Sequence, residues 1–106
     1  MTDPFPGLNK PLSAQDLIRA LRLDLAAELD AINLYEAHAD ATNIEEAQVL
    51  LRDIANEEKV HVGELLELIS MLTGREEANY QDQGREEARK KVYNPTGNSG
   101  YVFNHR

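Results

Sequence analysis

Residues 54–65 of the chain read IANEEKVHVGEL, and within them Glu58-Lys59-Val60-His61 places a carboxylate and an imidazole three positions apart. Residues three apart share one face of an α-helix, so the two side chains are predicted neighbours. Such a pair is either a solvated ion pair or part of a metal site. The pattern of the flanking helices bears on the choice between these two interpretations.

The stretch lies in the second of two long helical segments. The first segment begins at Ser13, which has an acid three residues later, at Asp16, as in a capping box, and it continues to about residue 41. Asn43 with Glu46 repeats this start signal. The second helix is then predicted to run to about residue 73, because Gly74 stands where a C′ glycine ends a helix.

The other segments are shorter. Residues 1–12 contain three prolines and are predicted to form an extended leader. We expect one helical domain over 13–92, with helices at about 13–41, 44–73 and 75–92, the last interrupted or bent near Gly84. Residues 93–106 are predicted to be a flexible tail.

Apolar residues follow one face of each long helix in alternating steps of three and four, the a/d pattern of antiparallel helices that pack side by side. The predicted seam of the first helix consists of Leu21, Leu25, Glu28, Ile32, Tyr35 and Ala39. That of the second consists of Ala47, Leu51, Ile54, Glu58, His61, Leu65, Leu68 and Leu72. Glu28 interrupts the first apolar series, and Glu58 with His61 interrupts the second.

The two glutamates are predicted to lie at the same height in the hairpin. Asn43 is midway between Glu28 and Glu58 in the sequence. If the chain turns at Asn43, each glutamate lies about 22 Å along its helix, at ~1.5 Å per residue. The hairpin is therefore expected to hold Glu28, Glu58 and His61 in one buried polar layer.

A buried carboxylate needs a partner, since burial without one costs several kcal/mol, by order of magnitude. Protonation or a cationic side chain could satisfy the layer, but neither seam supplies a Lys or Arg close to it. A metal ion could do so as well. Oxygen ligands with one imidazole suit iron, manganese or zinc, and a set dominated by carboxylates favours iron or manganese.

Three ligands leave an ion under-coordinated. Four-helix di-iron bundles use a Glu from each of two helices and a Glu-x-x-His from each of the other two, and one hairpin of this chain carries half of that set. A symmetric dimer of two hairpins would complete a four-helix bundle with two metal ions at the dimer interface. The fold class expected is therefore all-α, an antiparallel two-helix hairpin plus a short C-terminal helix, dimerising into a four-helix bundle.

Composition excludes several other classes of protein. A formal net charge of -8 disfavours binding to nucleic acid and to anionic membranes. The absence of Cys excludes disulfides, iron–sulfur clusters and thiolate catalysis. No apolar run approaches the roughly 20 residues of a membrane span, and the first residues do not form a signal peptide, so a cytoplasmic protein is expected.

Two stretches carry a resemblance to a known family. ELDAINLYE at residues 28–36 and NEEKVH at residues 56–61 resemble the encapsulated ferritins, over roughly residues 13 to 92. The resemblance implies iron ligands at Glu28, Glu58 and His61, and it places the family's tyrosine near the centre at Tyr35. The chain departs from the family at Leu34, where some members carry Trp, and in an acidic pair for metal uptake, of which only Asp30 is present.

The resemblance also implies an activity and partners. It implies a ferroxidase that oxidises iron(II) with dioxygen at a di-iron centre between two subunits, with dimers associating further into a ring, typically a decamer. The iron would then be stored inside an encapsulin shell, in an encapsulin nanocompartment. The tail would be a shell-targeting peptide anchored by Tyr101, Val102 and Phe103, or an ordinary flexible end.

Two alternatives stay open from the residues. The same ligands could serve a rubrerythrin-like peroxide-scavenging di-iron protein, although the lack of Cys disfavours an internal rubredoxin electron donor. The chain could also be a non-enzymatic helical scaffold whose polar layer fixes the register of a dimer and binds metal incidentally. His38 and His105 lie off the seam and are interpreted as solvated, as are Asp30, Glu36, Glu57 and Glu64.

Overall fold

The computed structural model describes residues 10–93, which form three α-helices. Helix α1 spans Ala14–Ala41, α2 spans Glu45–Leu72 and α3 spans Glu76–Val92. Helices α1 and α2 pack together as a hairpin, and α3 contacts α2. The all-α fold with a hairpin and a short C-terminal helix is confirmed.

The expected leader and tail fall largely beyond this part of the chain. Residues 1–9 and 94–106 lie outside the described residues, and with them Tyr101, Val102, Phe103 and His105. Between residues 10 and 93, no helix combines the length and the apolar composition that a membrane span requires.

Helix α1 begins as its sequence predicts. The Ser13 Oγ accepts a hydrogen bond from the Asp16 backbone N–H at 3.1 Å. This bond satisfies one of the amide donors that the first turn of a helix leaves without a partner. The start of the hairpin is therefore fixed by a local signal.

Helix α2 begins differently from the prediction at Asn43. Its N-cap is Ile44, which has no capping side chain. The Thr42 hydroxyl instead accepts a hydrogen bond from the Ile44 N–H at 3.2 Å, and the Gln48 side-chain amide donates to the Thr42 carbonyl at 2.6 Å. The expected Asn43 cap is wrong because Thr42 provides the hydrogen bonds of the turn.

The end of α2 is a Schellman motif built on Gly74. The Gly74 N–H donates to the Met71 carbonyl at 3.3 Å, and the Arg75 N–H donates to the Ser70 carbonyl at 2.7 Å. Gly74 has a φ of 61°, which confirms the predicted C′ glycine, and Arg75 follows with a φ of 70°. A left-handed backbone in a residue with a side chain costs about 1–2 kcal/mol.

Helix α3 is continuous through Gly84, so the interruption expected there is wrong. None of its described residues is buried. Its first turn is tied to α1 by an ion pair between Arg22 and Glu77, in which the Arg22 Nε lies 3.2 Å from the Glu77 Oε2. The Thr73 hydroxyl also accepts a hydrogen bond from the Glu77 N–H at 3.3 Å.

The core of the hairpin differs in part from the predicted seam. The buried side chains are Ala20, Leu21 and Ala39 on α1, and Ala55, Ile69 and Ser70 on α2. On α2 the predicted seam residues Leu68 and Leu72 are 38% and 36% exposed. Helix α2 is apolar over a wider arc than one seam, and the buried part of that arc includes Ala55 and Ile69.

Candidate metal centre

The three residues of the predicted polar layer lie together. The His61 Nδ1 is 3.4 Å from the Glu28 Oε2 and 3.6 Å from the Glu58 Oε1. One ligand atom from each of the three side chains lies within 4.8 Å of the other two. The hairpin register thus brings Glu28 of α1 beside Glu58 and His61 of α2, while their binding of a metal stays a prediction.

The layer is less deeply buried in one chain than the sequence predicts. The side chains of Glu28 and Glu58 are 27% and 17% exposed, and that of His61 is 48% exposed. The two carboxylates lie between the helices, and the imidazole lies at the rim of the hairpin. A ligand that approached from this rim would reach all three groups.

The electrostatics of the layer favour a cation. The Glu28 Oε2 is buried and has no hydrogen-bond partner among the described residues. The pKa of Glu58 is raised, first by the hydrogen bond that its protonated form can share with Glu28, then by burial and by the charge of Glu28. A positive ion between the two carboxylates would remove the repulsion and supply the missing partner.

The donor set fits an iron or manganese ion. Two carboxylates and one imidazole are ligands that these metals accept, and there is no Cys to direct the site toward thiolate chemistry. A single chain supplies only three side chains, which leaves the coordination incomplete.

An apolar row runs along the same rim of α2. Leu50 is 59% exposed and Leu68 is 38% exposed, and both lie within about 20° of His61 around the helix axis, at 100° per residue. Exposed leucines on the same side of the helix as the His61 imidazole are apolar surface that a second protein would bury on binding. Leu68 belongs to the predicted seam, and Leu50 does not.

Tyr35 is the tyrosine that the resemblance places near the centre. It lies on α1, two turns from Glu28, and it is half-buried. No hydrogen bond joins its hydroxyl to Glu28, Glu58 or His61 within the hairpin. Its role near the centre remains a prediction.

The other polar residues considered from the sequence lie outside the layer. The residues His38, Asp30, Glu57 and Glu64 are exposed. Glu36, interpreted as solvated, forms an ion pair with Lys59 at 3.0 Å. A second cross-helix pair joins Asp40 and Arg52 at 3.0 Å. Both pairs were missed because long charged side chains give no periodic signal in the sequence.

Comparison with known proteins gives the family. The family model described as Rubrerythrin matches residues 20–95. A crystal structure of the encapsulated ferritin domain from Pyrococcus furiosus superimposes with a TM-score of 0.73 and 38% sequence identity, covering 87% of this chain and 93% of that one.

Two longer proteins are also similar. The encapsulin nanocompartment cargo protein EncC of Myxococcus xanthus is 40% identical over 82 residues, which is 76% of this chain and 63% of EncC. The ferritin-like-encapsulin shell fusion protein of Pyrococcus furiosus is 48% identical over 61 residues, which is 58% of this chain and 18% of the fusion. The chain thus spans less than two thirds of the length of either protein.

Proposed function

The chain belongs to the rubrerythrin family and is a member of the encapsulated ferritins, and from this premise we propose that it is a ferroxidase whose site forms between two subunits. The substrate is iron(II), with two ions at each dimer interface, and the oxidant is dioxygen. The observation that carries the proposal is the convergence of Glu28, Glu58 and His61, with the Glu28 Oε2 buried and lacking a partner among the described residues.

Each residue has a distinct part in this proposal. Two iron(II) ions would give up one electron each, and dioxygen would take up these two electrons with two protons and leave as hydrogen peroxide. The carboxylates of Glu28 and Glu58 would hold the ions, and their negative charge would favour iron(III) over iron(II). His61 binds terminally through a ring nitrogen, and the proton that Glu58 tends to retain leaves when its carboxylate binds a cation.

A second copy of the chain completes the site. In the proposed dimer, the rim that carries Leu50, His61 and Leu68 faces the same rim of another subunit, as a two-fold interface requires. The contact buries the exposed leucines and doubles the number of ligands to four carboxylates and two imidazoles. Further association of dimers into a ring, such as a decamer, follows the expectation from the family.

The proposed partner is an encapsulin shell. EncC is named as an encapsulin nanocompartment cargo protein, and the Pyrococcus relative is named as a fusion of a ferritin-like segment with an encapsulin shell. This similarity supports our proposal that the chain lies inside an encapsulin nanocompartment in the cytoplasm, where the shell would retain the oxidised iron. Co-expression of the full chain with an encapsulin shell protein, followed by purification of the shells, tests this placement.

One experiment tests the activity. Metal-free protein is separated by size-exclusion chromatography, the mass of each fraction is measured by light scattering, and iron(II) oxidation in air is followed by absorbance in the same fractions. We expect oxidation well above the buffer rate in dimeric or larger fractions and none above it in monomer. Equal rates in all fractions, or no fraction faster than buffer, contradict the proposal.

The match to the Rubrerythrin model supports a second candidate, a peroxide-scavenging protein that uses the same three ligands. The two functions differ in the oxidant. Protein loaded with iron(II) without oxygen is mixed with either dioxygen or hydrogen peroxide, and the two oxidation rates are compared. Rapid oxidation by peroxide with slow oxidation by dioxygen would favour the second candidate, and no acceleration by either oxidant would favour a non-enzymatic scaffold.

A further inference from the structure

A row of side chains on α2 continues the rim on which His61 lies. Its members follow one another in alternating steps of four and three, the spacing of a helix face that packs along another helix. At ~100° per residue, they stay within about 40° of one line parallel to the helix axis. The row consists of Leu50, Ile54, Glu57, His61, Glu64 and Leu68. Ile54 is half-buried in the single chain and the other five are exposed, so the row is open to a second helix.

The two leucines select the register in which this row packs against the same row of a second copy. In a two-fold pair the helices run antiparallel, and residues equally far from the axis on its two sides lie at the same level. Lys59 is midway between Leu50 and Leu68, so an axis level with Lys59 places each leucine against the other leucine of the partner subunit. A shift by one heptad would instead place a leucine against Glu57 or His61.

The same register brings the two candidate metal centres together. Glu58 is one position from the level of the axis and His61 is two, which is about 1.5 and 3 Å along the helix. The ligand layers of the two subunits therefore lie at nearly the same height, as a centre with two metal ions requires. The leucines and the ligands thus favour one register.

In this register Glu57 faces the imidazole of the other chain, because Glu57 and His61 lie two positions on either side of Lys59. The Glu57 side chain is exposed and forms no ion pair with any described residue. The His61 Nδ1 faces Glu28 and Glu58, which leaves Nε2 on the other edge of the ring. This Nε2 makes no hydrogen bond within the described part of the chain. An acceptor and a donor, each without a partner in one chain, therefore meet in the dimer.

We propose that Glu57 of the partner subunit accepts a hydrogen bond from the Nε2–H of His61 and so positions this imidazole for metal binding. The inference rests on the proposed function and adds to it a positioning residue that reaches across the dimer interface. A histidine that binds a metal through one nitrogen commonly donates the other N–H to a carboxylate, which fixes the ring and makes it a stronger ligand. Each subunit thus orients the histidine of the other.

Disulfide cross-linking tests the contact without any metal. The chain has no Cys, so single-cysteine variants can link only to another chain. Full-length Glu57→Cys and His61→Cys chains are co-expressed, oxidised mildly and analysed by mass spectrometry. We expect a covalent dimer with one chain of each kind. Glu64→Cys with His61→Cys is the control and should not link, because these positions are about 10 Å apart along the helix axes in this register.

Cobalt(II) binding measures the effect on the metal centre. Calorimetry is carried out at a protein concentration at which light scattering shows each variant to be dimeric. Glu57→Ala is expected to weaken cobalt(II) binding about 10–100-fold, the usual cost of removing a hydrogen-bond partner of a metal ligand. Glu57→Gln keeps a carbonyl acceptor and should recover part of this loss. Glu64→Gln, which removes an exposed carboxylate from the same row, is the matched control and should leave the affinity nearly unchanged.

The outcomes separate this inference from the proposed function. Iron(II) oxidation by the parent, without a link between Glu57→Cys and His61→Cys chains, overturns this inference alone. So does an effect of Glu57→Ala on cobalt(II) binding no larger than that of Glu64→Gln. A link between the two cysteine variants, with no cobalt(II) binding by the parent, overturns the proposed function together with the positioning role.

Discussion

The Nδ1 of His61 on α2 lies 3.4 Å from the Oε2 of Glu28 on α1, and this contact joins the two helices of the hairpin within the carboxylate layer. The imidazole remains 48% exposed in that position, while the Glu28 oxygen that it approaches is buried. The layer thus has an inner anionic part and an outer imidazole.

Substitution of His61 tests its proposed role as a metal ligand. We expect His61→Ala to lower the initial rate of iron(II) oxidation by more than about 100-fold. Mutation of a residue that only hydrogen-bonds to a metal ligand already lowers metal affinity or activity by about 10–100-fold, and loss of a ligand should cost more. The rate is measured by absorbance in stopped flow. The matched control is His38→Ala, which removes an exposed imidazole from the last turn of α1 and should keep the parental rate. Parental activity in the His61 variant would exclude it as a ligand.

Neutralisation of Glu28 should stabilise the metal-free protein. Glu28→Gln removes one of two facing carboxylates and gives the layer a donor, so the free energy of unfolding should rise by about 1 kcal/mol without metal. The same variant should lose the stabilisation that added metal gives the parent. Chemical denaturation with and without iron(II), in the absence of oxygen, measures both effects. Asp30→Asn, which neutralises an exposed carboxylate on α1, should change neither.

A charge on the leucine row should prevent assembly. Leu68→Glu places a carboxylate beside the rim that we propose to be buried in the dimer, so the dimer fraction and iron(II) oxidation should fall together. The hairpin itself should stay folded, because Leu68 is 38% exposed in the single chain. Light scattering measures the dimer fraction, and circular dichroism measures the folding of the hairpin.

Val60→Glu is the control, since Val60 is 62% exposed and is turned about 100° around the helix from His61. An intact, active Leu68→Glu dimer would exclude this surface.

The ion pair between Arg22 and Glu77 should make the attachment of α3 sensitive to acid. The Arg22 guanidinium lowers the pKa of Glu77. A carboxyl whose pKa is lower in the folded state than in the unfolded chain stabilises the folded state. This stabilisation is complete above the ordinary pKa of about 4.3, and it is lost as the pH falls through the lowered pKa. The measured quantity is the amide hydrogen-exchange rate divided by the intrinsic rate at the same pH. In acid, this ratio should rise for α3 amides more than for α1 amides.

Glu77→Gln should already show this faster exchange of α3 at neutral pH. Glu86→Gln, which removes an exposed carboxylate paired with Arg89 within α3, is the control. If α3 exchanges at the same rate in the parent and in Glu77→Gln, the ion pair does not hold the helix in place.

Local signals in the sequence predicted much of the fold. Ser13 and Gly74 mark helix ends through their own backbone and side-chain chemistry, and both lie where the sequence places them. The equal spacing of Glu28 and Glu58 from Asn43 placed the two carboxylates in one layer because a short turn fixes the register of a hairpin. These features depend on residues close in sequence or on a simple symmetry.

Other features of the packing between helices were not predicted. The burial of Ile69 was not predicted because α2 is apolar over a wide arc, and periodicity alone does not tell which part of the arc is covered. The ion pair between Arg22 and Glu77 was not predicted because it joins residues far apart in the sequence through flexible side chains. The prediction of an Asn43 cap was wrong because the Thr42 hydroxyl accepts the hydrogen bond from the Ile44 N–H in this turn.

The half-exposed imidazole of His61 has a consequence for how the cell controls oxygen chemistry. If the site forms only in the dimer, a newly synthesised chain oxidises no iron until it binds a second chain. When chains are scarce, the number of complete centres grows with the square of the number of chains. Doubling expression would then raise the oxidising capacity up to about fourfold, so iron oxidation would rise more steeply than in proportion to the amount of this chain.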